Sequence, residues 1–140
     1  MAQGQATIRS FRDLFVFPKS RSVALRVIRL ADSFPRSRGA DVVAGEIIES
    51  ATSVPSNIAE GFGRFGKRQY VQYLRVAHGS ASETESWLSI IEGASYAPKG
   101  TVDEIEAENQ EVLRMLGAMI GKLETPSVRR RAVPGGLAVR

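Results

Sequence analysis

The stretch Ser53-Val54-Pro55-Ser56-Asn57-Ile58-Ala59-Glu60-Gly61, with Arg64 shortly after, decides how the chain is read. A proline sits inside an apolar rhythm of helical spacing, among small polar residues, and Gly61, Gly63 and Gly66 form the exit. Taken alone, the stretch fits a loop, a helix break or a kinked helix. The flanking phase favours the last. Val43, Ile47, Ala51, Val54, Ile58, Phe62 and Phe65 step by three or four, and the stepping runs through Pro55. A break would normally reset that phase, so the reading is one long helix with a kink. Pro55 lacks an N–H and crowds the Ala51 carbonyl, at about 3 kcal/mol unless compensated. Ser53, Ser56 and Asn57 stand close enough to help satisfy freed backbone groups. The alternative is that Ser56 caps a new helix.

Outward from this stretch the periodicity stays helical. Residues 1–15 read as an N-terminal arm ending in Phe11-Arg12-Asp13-Leu14-Phe15, apolar enough to dock. Pro18 suits the first position of a helix. Val23, Val27, Leu30 and Phe34 carry its stripe, and Pro35 ends it. Asp41 suits the start of the second helix. In the third, Tyr70, Leu74, Ala77, Ala81, Thr84, Leu88 and Ile91 alternate steps of four and three, the spacing of a packed helix interface. Ala77, Gly79, Ser80, Ala81 and Ser82 make it small-sided, which lets a neighbour come close. Gly79 is expected to be tolerated only where something packs on it. Thr101 and Glu104 form a capping box for the fourth helix. Val102, Ile105, Asn109, Val112, Leu116, Met119 and Leu123 form its seam, and Asn109 is a polar residue of the kind that fixes register. Pro126 ends it. The connections are short, so the expected fold is all-α: an antiparallel up-down-up-down four-helix bundle with a kinked second helix. It spans residues 16–125, and residues 126–140 read as a disordered basic tail.

Composition narrows the function classes. A chain of 140 residues suits one domain. There is no cysteine, which excludes disulfides, thiolate metal sites and thiol nucleophiles. The start lacks a signal-like pattern, and no apolar run nears the ~20 residues of a membrane span, so the expectation is cytoplasmic with no membrane partner. The net charge of +4 comes from Arg129, Arg130, Arg131 and Arg140. The rest is neutral but segregated: twelve basic and six acidic residues up to position 75, three basic and nine acidic over 76–125. Such halves neutralise each other across a fold, or join copies head to tail.

No motif argues for catalysis. Gly61-Phe62-Gly63-Arg64-Phe65-Gly66 matches a dinucleotide fingerprint in letters, but a helix precedes it where a strand is required. The same letters partly mimic an RNA-binding consensus that needs a four-stranded sheet. His78, the only histidine, lacks carboxylate partners at metal-ligand spacing and reads as a packing or hydrogen-bonding residue. The expectation is therefore no enzyme, no cofactor and no metal. Arg64, Lys67, Arg68 and Arg75, interleaved with Phe65, Tyr70 and Tyr73, fit either phosphate and base contacts or a solvated helix start beside core aromatics. Arg129-Arg130-Arg131 fits a solvated tail or added phosphate contacts.

Phe11-Arg12-Asp13-Leu14 with Val16, the Ser53–Gly61 motif with Arg64, and Ala77-His78-Gly79-Ser80 with Glu83 together resemble a bacterial four-helix-bundle family. That family includes proteins encoded in intervening sequences of large-subunit ribosomal RNA genes. It is similar to the accessory variability determinant proteins of diversity-generating retroelements. The likeness runs over about residues 10–124. It implies a ring-like homopentamer with a non-enzymatic role. In the retroelement branch it also implies binding to a reverse transcriptase and to nucleic acid through basic surfaces; in the other branch, ribosomal association. The family often carries two arginines before the motif, where this chain has Glu46-Ile47-Ile48-Glu49. That loss leaves Arg64, Lys67, Arg68, Arg26 and Arg29 as candidate contacts to RNA or DNA. Ser53, Pro55, Asn57, Glu60 and Gly61 are expected to shape the kink and a subunit contact. The resulting expectation is a homo-oligomeric, nucleic-acid-associated accessory or scaffold protein. The alternative is a protein-interaction module with no nucleic-acid binding.

Overall fold

Four helices build the core of the computed structural model, which describes residues 7–125. They are α1 (Val16–Asp32), α2 (Arg38–Phe62), α3 (Lys67–Ala94) and α4 (Lys99–Glu124), after a single 3-10 turn at Phe11–Asp13. No strand occurs among the described residues. Each helix packs on the next in the chain and α4 closes the ring on α1. With links only at residues 33–37, 63–66 and 95–98, the helices run alternately up and down. The tail of the sequence reading lies outside the described residues.

The apolar stripes meet as their spacing predicts. Ile47, Ile58, Leu74, Leu88, Ile91, Ile105 and Leu116 are among the largest fully buried side chains. The α3 seam differs at one point: Val71 is buried, while Tyr70 is half-buried against the core. On α4 the last buried apolar residue is Ile120, with Met119 and Leu123 partly covered beside it. Asn109 is buried and its amide donates to the Ala81 carbonyl at 3.0 Å, tying α4 to the small-sided turn of α3. A buried amide stays favourable only when so paired, which is why it fixes register.

Helix α2 passes through Pro55 without interruption, as the unbroken phase predicts. It begins at Arg38, ahead of Asp41, because the Ser37 hydroxyl caps the Ala40 N–H at 3.1 Å. Other helix starts also differ from the sequence reading. Helix α1 begins at Val16, so Pro18 sits third in the first turn, where its N–H would lack an intrahelical partner anyway. Helix α4 begins at Lys99 with no side-chain cap, so Thr101 and Glu104 lie inside the helix and form no capping box. Helix α2 stops at Phe62, which leaves Phe65 in the turn, 95% exposed rather than on the apolar stripe.

Candidate functional site: the α2–α3 seam and its basic turn

The proline-centred motif faces α3. The Ser50 and Thr84 hydroxyls lie 2.8 Å apart, and those of Ser53 and Ser80 lie 2.9 Å apart. Each hydroxyl of the first pair also has a carbonyl of its own helix within donating reach, Ile47 at 3.2 Å for Ser50 and Ser80 at 2.9 Å for Thr84, so either can supply the proton between them. The Asn57 amide donates to the Ser53 carbonyl at 2.8 Å and to its hydroxyl at 2.9 Å. At the far end Gly61 is buried, and a Cβ placed there would lie 2.6 Å from Tyr73 Cβ. Only glycine lets the backbones approach this closely. The pairs 50–84, 53–80 and 61–73 advance along α2 as they step back along α3, the order of an antiparallel seam.

These contacts revise the role expected of the polar residues. Asn57 serves the Ser53 carbonyl, not the Ala51 carbonyl that Pro55 deprives of a donor. Ser56 is exposed and makes no side-chain hydrogen bond among the described residues. Ser53, Asn57 and Gly61 are thus engaged within the chain, Pro55 is half-buried, and Glu60 is exposed. Gly79 also departs from its expectation: it is exposed, with open space where a Cβ would stand.

Just beyond the motif the chain turns through residues 63–66. Gly66 adopts a φ of 92°, a left-handed value that favours glycine. Arg64 bonds Glu60 and its guanidinium lies 5.2 Å from the centre of the Tyr73 ring. The Glu60 bond, with Tyr73 next, raises the Arg64 pKa and secures its charge. Phe62 and Tyr70 meet edge to face at 6.3 Å, and burial raises the Tyr70 pKa. Lys67 and Arg68 open α3, are exposed, and form no ion pair among the described residues. No acidic residue stands in that first turn, so their charge adds to the positive end of the helix. A groove of about 260 Å³ lies alongside, lined by Arg64, Gln69, Gln72, Tyr73 and Val76.

The other two candidate cations stand elsewhere. Arg26 on α1 binds Glu104 at 3.0 Å and Glu108 at 3.1 Å on α4. The neighbouring turn of α4 meets Glu85 of α3 through Gln110. Glu85 lies eighteen residues beyond Lys67, which puts Arg26 about 27 Å up the bundle from the basic turn. Arg29 is exposed near Arg26, beside a groove with Leu30, Ser33, Pro98, Thr101 and Ile105. Arg64, Lys67 and Arg68 therefore form one patch, and Arg26 and Arg29 belong to another whose leading charge is already paired. Arg75 is likewise bound, to Glu124.

The acidic residues gather between α3 and α4. Gln110 bridges Glu85 at 2.8 Å and Glu106 at 2.7 Å. Burial raises the Glu106 pKa; Gln110 opposes the rise and Glu85 adds to it. His78 is half-buried beside Arg75, Gly117 and Ile120. No cluster of metal-ligating side chains occurs among the described residues, and no helix there is long and apolar enough to cross a membrane.

Fold and surface define a class: a four-helix bundle whose distinctive chemistry is a closely packed polar seam ending in a basic, aromatic turn. Within that class, the chain belongs to the 23S rRNA-intervening sequence protein family, whose model matches residues 12–118. It is also similar to a solved protein of unknown function from the S23 ribosomal protein family of Bacteroides thetaiotaomicron. The two share a TM-score of 0.71 and 26% sequence identity, over 75% of this chain and 97% of the other. Neither description names an enzymatic activity. No curated protein matches the chain.

Proposed function

We propose that this protein is a non-enzymatic, homo-oligomeric accessory or scaffold protein that associates with nucleic acid. The observation that carries the reading is the pair Lys67 and Arg68, exposed and without carboxylate partners among the described residues, beside Arg64 and Phe65. Exposed cations beside aromatics suit a phosphate backbone. The family description points to RNA; a ribosomal component or a reverse transcriptase is the protein partner that the resemblance implies. Arg29 adds a second, distant contact, and Arg26 contributes less because Glu104 and Glu108 hold it. Self-association, pentameric by resemblance, draws on exposed apolar residues such as Phe15, Val42, Val76 and Ile90. The Ser53–Gly61 motif would contribute to that contact through Pro55, and through Glu60 together with its partner Arg64, since Ser53, Asn57 and Gly61 are engaged with α3 or with each other.

Light scattering of the purified full chain, followed by salt titrations with RNA and DNA, tests both halves. The expected results are a pentamer and binding that weakens steeply with salt. A monomer at micromolar concentration overturns the assembly, and no salt-sensitive binding at low ionic strength overturns the nucleic-acid role. The second reading, a protein-interaction module with no nucleic-acid binding, is favoured by one observation. Lys19, Arg26, Arg64 and Arg75 already sit on carboxylates. On that reading Lys67 and Arg68 meet the acidic α3–α4 face of a second copy, and Lys67→Glu with Arg68→Glu disrupts assembly.

A further inference from the structure

We infer that the α2–α3 turn takes single-stranded nucleic acid, with Phe65 as a base-stacking platform; this rests on the nucleic-acid reading above. The inference starts from a side chain the core does not use. Phe62 and Tyr70 pack on each other, and Tyr73 lies beneath Arg64 and against Gly61. Phe65 stands 95% exposed between Arg64 and Gly66. A single exposed ring is ordinary on a protein surface, but this one follows Arg64 and precedes Lys67 and Arg68, so its apolar face stands where a polyanion would be held.

The surroundings select what that face is. Lys67 and Arg68 attract a polyanion. Unpaired bases offer flat faces to an exposed ring, whereas bases in a duplex are stacked on each other and present only edges. The adjoining groove of about 260 Å³ carries the Gln69 and Gln72 amides beside Arg64 and Tyr73. Amides pair with base edges, which an unpaired base leaves free. The Arg64 side chain keeps 43% of its surface exposed, so its guanidinium, over the Tyr73 ring, supplies a further cationic plane in that groove. The groove is smaller than the ~300 Å³ typical of small-molecule sites, a size for one ring system. A duplex or an acidic protein surface would use the cations and leave both the ring and the amides idle.

The test measures fluorescence anisotropy of a labelled oligouridylate of about twelve nucleotides, and of a duplex of the same length, against the full-length oligomer at low salt. The single strand is expected to bind more tightly. Phe65→Ala is expected to weaken it about tenfold with an unchanged salt slope. Lys67→Ala with Arg68→Ala is expected to lower the slope by about 1.4. Phe65→Trp, in a Trp87→Phe background, is expected to keep the affinity and lose emission as bases stack. Equal binding of both forms, with no effect of Phe65→Ala, overturns the inference and leaves the nucleic-acid reading standing. Binding of neither form overturns that reading as well. A fall in oligomer mass on Phe65→Ala without a change in affinity assigns the ring to a subunit contact, and also overturns the inference.

Discussion

Two seams of the same bundle hold their helices by different physics. Between α2 and α3 the contact is shape and short polar bonds: hydroxyl pairs at 50–84 and 53–80, and a glycine pressed on Tyr73. Between α1 and α4 it is charge. Arg26 reaches Glu104 and Glu108, Ser22 donates to Glu108 at 3.0 Å, and Lys19 pairs with Glu111. Open grooves of about 530 and 600 Å³ lie along that second seam, and Phe15 stands 83% exposed beside one of them. Small side chains let backbones approach, so the first seam is geometrically exacting. Long charged side chains hold helices further apart and leave space between them, so the second tolerates change and responds to salt.

The largest test of this contrast is Gly61→Val. Its Cβ has no room beside Tyr73, so urea unfolding is expected to show a loss of about 2–3 kcal/mol. A loss below about 0.5 kcal/mol would mean that the seam yields and is not exacting. Next comes Thr84→Val, which removes the buried hydroxyl pair with Ser50 and is expected to cost about 1 kcal/mol, independent of salt. Ser50→Ala together with Thr84→Val should cost less than the two single changes summed, because either change alone already removes the bond between them. On the other seam, Arg26→Ala is expected to cost about 0.5–1 kcal/mol at low salt and less as salt rises. A salt-independent loss would put its role in packing.

The smallest effect lies between the two seams, where α3 meets α4. Burial raises the folded pKa of Glu106 above the ordinary carboxylate value of 4.5. The native state therefore holds that proton more tightly than the unfolded chain. Stability from this group is greatest at low pH and is lost as pH climbs from about 4.5 through the raised folded value. Glu106→Gln is expected to remove this loss and to raise the midpoint of thermal unfolding at neutral pH, with little change at acid pH. An equal shift at both pH values would show that titration is not the cause.

Most of the fold was legible because helix phase is a local property. Val54 and Ile58 keep one rhythm across Pro55, so one helix follows even with a residue that disfavours it. Helix starts were less legible. They depend on which side chain reaches an open N–H, and Ser37 reached one while Thr101 did not. The candidate site divided in the same way. Arg64, Lys67 and Arg68 are near each other in sequence and remain together. Arg26 is a candidate contact by its sequence, but its partners lie far along the chain in α4, where no local pattern reveals them. The Ser50–Thr84 pair was missed for the same reason, although a small polar residue on an otherwise apolar stripe is the signal that marks it.

The sequence by itself determined that there are four helices, where their apolar faces lie, and that glycine follows the proline motif. Each of these depends on residues within a few turns of one another. Tertiary structure alone decided that the Ser53–Gly61 motif is turned against α3, that Arg26 is already occupied, and that Phe65 is left bare at the turn. Those outcomes depend on which faces meet across the bundle. Helix–helix register is set by long-range packing, and the helical repeat does not carry it.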